Sequence, residues 1–381
     1  MKIAIISDNR PSFRKPMGLS LSQMLVRIGV EPILFFDDDF DDLYLPDFPI
    51  NFPLIRAKNT VKKALNFFAK EKYRTINLNP TKHFLKRLKE CSAILVVAHM
   101  PASLSKRYYW YIESIRDQIN IPIINYDLCF WSTKPPAHLA GLIDDPKRGF
   151  AGFNRFDWYI VVSNMGRFPQ NEEVAWPVAV VGGDFTNKDL YPDEKNTFKV
   201  LVDFERSDHL SERALQLDVL NELKIPYTVL TGQYSHEEIY SIYREHSAYF
   251  LAHNESFGLP IVELQICGSY ILTPYSIWAT SHYINKAVSD PGEGGLSSNF
   301  VVYNNDRVTL KTELIRLRNE FYSSKESYSS KVIETFSREH AHLRFGDSGK
   351  LKEVIEHIRV GKLNGETHLK HKGLEKFILK R

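Results

Sequence analysis

The chain has 381 residues, of which 43% are hydrophobic and 25% charged, and its formal net charge is +3 at pH 7. A chain of this length favours two domains, and its composition excludes a disordered protein. No apolar run is long enough to span a bilayer. The three cysteines, Cys91, Cys129 and Cys267, show no metal-ligand spacing. We therefore expect a reducing, cytoplasmic compartment rather than a disulfide or zinc scaffold.

The first half of the chain alternates apolar strands with helices. Residues 2–7 predict a buried strand rather than a signal peptide, because polar residues follow at once. An amphipathic helix is expected at 18–28, opened by Gly18. A strand, a helix and a second strand in this order open a Rossmann-like half. Further strands are predicted at 32–36, 92–98, 121–126 and 156–163, and a further helix at 106–119.

Residues 56–89 are strongly basic, with apolar residues such as Val61, Leu65, Phe84 and Leu88 between the charges. Such a basic amphipathic segment suits an anionic membrane surface, and it also suits an anionic polymer or nucleic acid. A solvated helix face that covers the sheet produces the same pattern. The sequence alone leaves these alternatives open.

Two polar residues are expected at the ends of neighbouring strands in the first half. His99 follows the strand at 92–98, and Asp127 follows the strand at 121–126. The carboxyl ends of parallel strands meet at one edge of a sheet, where open α/β folds bind ligands. Asp127 is therefore a candidate to accept or orient the proton of an acceptor hydroxyl. Either side chain is also suited to cap the helix that follows it.

The second half of the chain repeats the alternation of strands and helices. Strands separated by helices imply parallel pairing with right-handed crossovers. Residues 330–358 are mostly helical with a break at Gly346, and the last residues form a small basic tail. Strands are predicted at 198–204, 226–231, 248–252, 270–274 and 299–303, and helices at 211–223, 236–246 and 308–321.

The most informative stretch follows the apolar strand at 248–252. Gly258 and Pro260 open a helix there, since glycine allows close backbone approach and proline suits a first helical turn. Free backbone N–H groups at a helix start form a site for phosphate. Glu255 precedes this helix and Glu263 lies about one turn inside it. Both carboxylates are thus placed to accept hydrogen bonds from sugar or ribose hydroxyls.

The segment Glu-Ser-Phe-Gly-Leu-Pro-Ile-Val-Glu, from Glu255 to Glu263, resembles the E-x7-E motif of retaining, GT-B-fold glycosyltransferases of the GT4 type. The resemblance implies an α/β fold of two Rossmann-like domains that face each other across a cleft, with a C-terminal helix that crosses back to the first domain. It implies an acceptor-binding domain at 1–190, a domain for the nucleotide sugar at 191–345, and the crossing helix with the basic tail at 346–381.

The resemblance also assigns roles to individual residues around the donor. Glu263 is expected to bind the ribose hydroxyls, and Glu255 to contact the hydroxyls of the donor sugar. Arg206 matches the phosphate-binding arginine of the family. The lysine that usually follows is absent, and Arg213 is the nearest substitute, which keeps the charge but not the geometry. The other expected donor contacts are the backbone of Phe257, Gly258 and Leu259, the loop Gly232-Gln233-Tyr234 against the base, and Gly18 in the first domain.

Asp127, His99 and Glu255 are the candidate catalytic residues, and no metal or other cofactor is expected. The predicted function is transfer of a hexose from a UDP- or GDP-sugar to a cell-surface glycan or glycolipid precursor, with retention of configuration. The expected location is cytoplasmic, with peripheral attachment to an anionic membrane through residues 56–89. Two alternatives remain open: a non-catalytic relative that binds a sugar nucleotide, and a phage-type glucosyltransferase acting on nucleic acid, the less favoured partner.

Overall fold

The computed structural model describes most of the second half of the chain and a smaller part of the first half. The described residues are 1–7, 14–35, 57–58, 60–62, 64–65, 80, 82–97, 114–130, 156–164, 176–251, 258–274, 297–371 and 374. Among the predicted site residues, His99, Glu255 and Phe257 lie outside these ranges, and so does most of the basic stretch.

The first half forms a six-stranded sheet in which every pair of neighbouring strands is parallel. Its strand order is β2-β1-β3-β4-β5-β6. The order reverses next to β1, because β2 lies on one side of it and β3 on the other. The strands are β1 (Lys2–Ile6), β2 (Glu31–Phe35), β3 (Ala93–Val97), β4 (Ile123–Phe130), β5 (Trp158–Asn164) and β6 (Val178–Val180).

The second half forms a five-stranded parallel sheet with the same arrangement. Its order is β11-β10-β9-β7-β8, so the reversal lies next to β7, between β8 and β9. In sheets of this kind, ligands bind outside the carboxyl ends of the strands at the reversal point. The strands are β7 (Val200–Val202), β8 (Tyr227–Val229), β9 (Ala248–Phe250), β10 (Tyr270–Thr273) and β11 (Phe300–Val302).

Helices connect the strands and cover the sheets. The predicted break at Gly346 is confirmed, since this residue has a φ of 72° and separates two helices. The helices are α1 (Arg14–Arg27), α2 (Lys82–Leu88), α3 (Leu210–Glu222), α4 (His236–Glu245), α5 (Leu259–Ile266), α6 (Arg307–Ser323), α7 (Lys325–Glu339), α8 (Ala341–Arg344) and α9 (Ser348–Arg359), followed by a 3-10 turn at Thr367–His371.

The first helix begins four residues earlier than the sequence predicted, at Arg14 rather than Gly18. Gly18 therefore lies inside α1, where the helix passes the end of β1. A Cβ atom at Gly18 would lie 3.1 Å from Cβ of Ser7, a close approach that a larger residue would disturb. The glycine thus marks tight packing of helix on strand, and not the helix start.

The strand predicted to end at Tyr126 continues to Phe130, and this prediction was wrong. Asp127 pairs with Val161 and Phe130 with Asn164, so parallel pairing with β5 carries the strand past the polar residue. Asp127 consequently lies within β4 and is fully buried, rather than following the strand at its end.

The C-terminal segment packs on the first half of the chain, as the GT-B resemblance implies. Helix α9 contacts both α1 and β6. The backbone N–H of Asp347 donates to the carbonyl of Val181 over 2.6 Å. Farther along, Arg116 donates to the carbonyl of Gly365 over 2.8 Å. Two parallel α/β units with a returning C-terminal segment confirm the predicted fold class.

Part of the basic stretch forms a solvated helix face that covers the sheet, one of the alternatives that the sequence left open. Helix α2 buries Phe84, Leu85 and Leu88 against the first sheet. Its lysines at 82 and 86 point to solvent. The apolar residues of α2 therefore cover the sheet and are not available for a membrane. None of the helices in the described ranges is long and apolar enough to cross a membrane.

Candidate functional site

Helix α5 begins just past β9, at the reversal point of the second sheet. Its N-terminal residue Gly258 has a φ of 61°, a conformation that favours glycine, and a proline occupies the first turn. Because the first N–H groups of a helix have no partner within it, this end of α5 is suited to an anionic group such as a phosphate. Gly258 and Leu259 thus lie at the helix start that the sequence predicted, and their contact with a donor phosphate stays a prediction.

Glu263 is buried, with 8% of its surface exposed, in a helix whose other residues from Ile261 to Ile266 are also buried. The hydroxyl of Tyr240, on α4, donates to Glu263 Oε1 over 3.3 Å. Burial raises the pKa of the Glu263 carboxyl to about 8. Burying a carboxyl among apolar side chains costs stability, and groups with such a perturbed pKa in a cleft mark candidate sites.

A cleft of about 790 Å³ separates the two halves of the chain, and Glu263 lines it. One wall is α1, which contributes Lys15, Leu19 and Gln23 at a spacing of four residues. The opposite wall is α4, and the segment after β6 forms the floor. The residues that line the second wall and the floor are His236, Glu237, Tyr240, Arg244, Asp184, Phe185, Thr186, Asn187, Asp189 and Leu190.

The two arginines that follow β7 have different surroundings. The side chain of Arg206 is 45% exposed and pairs with Asp208 over 3.3 Å. Arg213 is 4% exposed, and its guanidinium donates to the carbonyls of Asp203 and Phe204, the latter over 3.0 Å. Burial lowers the pKa of Arg213. Arg206 is therefore accessible to a ligand, whereas Arg213 braces the loop that carries Arg206.

The loop predicted to lie against a base follows β8, next to β7 at the carboxyl edge of the sheet. Gly232 has a φ of 77°, and Gln233 is exposed. The Tyr234 hydroxyl accepts a hydrogen bond from the backbone N–H of Thr231 over 3.1 Å. The ring of Tyr234 lies 6.1 Å from that of Phe204, centre to centre. These two rings form a small aromatic surface, of which the sequence predicted only Tyr234.

In the first half, the described candidates lie deeper than expected. Gly18 packs against Ser7 and is not among the residues lining the cleft, and Asp127 is buried within β4. Of the predicted site residues in the described part of the chain, Glu263 alone lines the cleft. Those same ranges hold no group of three His, Cys, Asp or Glu side chains placed to bind a metal ion.

Sequence reasoning missed Tyr240 and the wall formed by α4. His236, Tyr240 and Arg244 recur every four residues and all line the cleft. A polar or aromatic stripe at this spacing places side chains on one face of a helix, and that was the available signal. The stripe did not show which face of α4 the other half of the chain would cover.

The chain was compared with known proteins. No family model and no curated protein matches it. Among solved structures, a glycosyltransferase from Rickettsia africae is 13% identical with a TM-score of 0.42, covering 100% of this chain and 99% of the other. Anabaena HepE, solved with UDP and glucose, is 12% identical with a TM-score of 0.45, covering 94% and 99%.

A third solved structure belongs to a different class of enzyme. UDP-GlcNAc 2-epimerase from Neisseria meningitidis, bound to UDP-GlcNAc, is 10% identical with a TM-score of 0.48, covering 95% of this chain and 100% of the other. Likenesses of this degree carry no argument about the activity of the chain. The assignment below rests instead on the site and on the motif.

Proposed function

We propose that this chain is a retaining glycosyltransferase of the GT4 type that moves a hexose from a UDP- or GDP-sugar to a glycan or glycolipid precursor. The observation that supports the proposal is the position of Glu263. Its buried carboxyl lies on the helix that follows the reversal point of the second sheet, and it lines the cleft between the two halves. A carboxylate at that place is suited to two ribose hydroxyls.

The donor diphosphate gains charge as the bond between the sugar and the phosphate breaks. Positive groups and backbone N–H donors stabilise that charge. In the proposed complex the start of α5, at Gly258 and Leu259, receives the diphosphate, and exposed Arg206 swings towards it. Gln233 and Tyr234 lie along the base. The second unit thereby supplies donors for phosphate and an acceptor for ribose.

The acceptor side of the reaction belongs to the first unit in this proposal. Asp127 and His99 act on the acceptor hydroxyl, and Glu255 contacts the donor sugar. Because Asp127 is fully buried, acceptor binding has to open a path to it. Departure and attack on the same face, through an oxocarbenium-like state, give retention, and no metal enters the reaction.

Peripheral attachment to an anionic membrane is part of the same proposal. Val61 and Leu65 are exposed, and Lys58 near them is also exposed. An exposed apolar pair among lysines suits the interface of a membrane that carries negative charge. Sedimentation with vesicles of phosphatidylserine and phosphatidylcholine tests it. If the double substitution Lys58→Glu with Lys62→Glu reduces binding to these vesicles, the result supports membrane attachment. Equal binding to vesicles of neutral lipid alone contradicts membrane attachment.

Product analysis tests the catalytic proposal. The protein is incubated with UDP-glucose, other UDP-sugars and GDP-sugars, with and without a lipid-linked glycan extract, and nucleoside diphosphate release is measured. Release together with an α-linked product from an α-linked donor supports the proposal. Binding without turnover indicates a non-catalytic relative, and transfer to added DNA indicates a nucleic-acid glucosyltransferase. Epimerised free sugar would contradict transfer.

A further inference from the structure

A chain of hydrogen bonds links three side chains from three segments and ends at the Glu263 carboxyl. The Tyr240 hydroxyl donates to Glu263 Oε1 over 3.3 Å, and Tyr240 is in turn hydrogen-bonded by Asn187. Asn187 belongs to the segment that joins the two units, Tyr240 to α4, and Glu263 to α5. All three line the cleft.

We propose that Tyr240 is the residue that positions Glu263 for the nucleotide: its hydroxyl holds Oε1 and leaves Oε2 to the ligand. This inference rests on the proposed function. Among the described residues, Tyr240 is the side chain that donates to Glu263, and it donates to Oε1. Tyr240 is 7% exposed, so its surroundings hold the hydroxyl in place.

The arrangement has a consequence for protonation. Burial raises the pKa of Glu263 to about 8, and the hydrogen bond from Tyr240 acts in the opposite direction. An ionised carboxyl group accepts hydrogen bonds at both oxygens, whereas a protonated one carries a donor and keeps less acceptor capacity. Nucleotide binding below about pH 8 therefore favours loss of the Glu263 proton, and Tyr240 lowers the pH at which the carboxylate becomes available.

Other charged groups surround the cleft and enter the pH dependence. Helices α7 and α8 also pack on α5, and none of their titratable side chains shifts the pKa of Glu263. The titratable groups that face the Glu263 region are Lys15 on α1, Asp184 and Asp189 in the joining segment, His236, Glu237, Tyr243 and Arg244 on α4, and Cys267 at the end of α5. Comparing two matched variants at each pH cancels the contribution of those titratable groups that both variants contain.

Tyr240→Phe removes the hydroxyl and keeps the ring. Tyr243→Phe is the matched control, because Tyr243 lies on the same helix, is 4% exposed and makes no hydrogen bond to Glu263. Affinity for UDP and GDP is measured by calorimetry from pH 6 to 9. A hydrogen bond to a charged group contributes about 1.5–3 kcal/mol, so we expect affinity to fall roughly 10- to 100-fold in Tyr240→Phe. The pH at which nucleotide affinity reaches half its change should also be higher in Tyr240→Phe than in the wild type.

A second measurement needs no ligand. The melting-temperature difference between each protein and its Glu263→Gln version, followed from pH 4 to 10, reports the titration of Glu263. We expect this difference to level off at a higher pH in the Tyr240→Phe background than in the wild type or in Tyr243→Phe. Superimposable profiles for Tyr240→Phe and Tyr243→Phe would overturn the inference. If no nucleotide binds even the wild type, the proposed function fails, while the stability profiles still test Tyr240.

Discussion

The side-chain nitrogen of Lys195 lies 2.8 Å from the carbonyl oxygen of Cys267, the residue that ends α5. Lys195 is 7% exposed, and burial lowers its pKa to about 7. A cation at this position satisfies a carbonyl at the C-terminus of the helix and interacts favourably with its dipole. The helix that carries Glu263 is therefore held at its far end by a buried amine.

Replacing Lys195 by Met should change how stability depends on pH. Between about pH 7 and the ordinary lysine pKa, the unfolded chain binds this proton and the folded chain does not, so wild-type stability rises with pH. The stability of Lys195→Met relative to the wild type should consequently fall as pH rises from 7 to 10. Urea unfolding at several pH values measures it. Parallel curves for the wild type and Lys195→Met would exclude the role.

Asp157 joins the first sheet to the C-terminal turn. Its fully buried carboxylate accepts hydrogen bonds from the backbone N–H groups of Ile123 and His368, each over 2.8 Å, and from Arg116 over 2.9 Å. Removing one partner of a buried ion pair costs about 3–5 kcal/mol. Asp157→Asn should lower the free energy of unfolding by that order and speed hydrogen exchange at 367–371.

The control for Asp157 is an exposed ion pair. Lys350 contacts Glu353 over 2.9 Å on the surface of α9. Solvent screens an exposed pair, so Glu353→Gln should leave the free energy of unfolding almost unchanged. Equal effects of the two substitutions would show that Asp157 does not anchor the C-terminal turn.

Gly182 marks the point where the segment that leaves the first unit meets the segment that returns to it. Its φ is 69°, and a Cβ atom there would lie 1.9 Å from the carbonyl oxygen of His342. Gly232 has a similar φ of 77°, but within the described ranges no atom beyond its chain neighbours lies within 4 Å of its Cβ position. Gly232→Ala should therefore cost only the backbone term of about 1–2 kcal/mol.

Gly182→Ala should cost clearly more than Gly232→Ala, because a backbone carbonyl has to move in addition. The two unfolding free energies, measured in urea on the same day and buffer, separate backbone strain from steric overlap. A Gly182→Ala protein no less stable than Gly232→Ala would contradict the packing of these two connecting segments.

The two arginines after β7 should separate binding from stability. Arg206→Gln should weaken nucleotide affinity and leave the melting temperature unchanged, because its side chain is exposed. Arg213→Gln should lower the melting temperature, because its buried guanidinium holds two loop carbonyls. Calorimetry and thermal unfolding of both variants test this. If Arg213→Gln keeps the wild-type melting temperature but binds the nucleotide more weakly, Arg213 is a phosphate-binding residue and this prediction is wrong.

The sequence predicted the elements whose signal is local. Apolar runs such as the one before His253 predicted buried strands, and the glycine and proline before Glu263 predicted the helix start. It failed at Asp127, because a polar residue in a strand resembles a strand end until pairing with β5 is known. It also misread Gly18, since glycine at a helix start and glycine at a close contact have the same sequence signature.

Contacts between distant segments were beyond the sequence. His368 reaches Asp157 across 211 positions, and Tyr240 reaches Glu263 across 23. Nothing in the composition of α4 shows that its stripe faces the first unit rather than solvent. The motif located the carboxylate, and only the fold supplied the residue that holds it.

The central claim is that Glu263 receives a nucleotide, and titration calorimetry with UDP and GDP at pH 8.5 tests it most directly. At this pH the Glu263 carboxyl is mostly ionised, since its pKa is about 8. We predict that at least one nucleotide binds the wild type, that Glu263→Ala binds it at least about tenfold more weakly, and that the exposed control Glu245→Ala binds as the wild type does. Equal affinity of Glu263→Ala and the wild type would contradict the account.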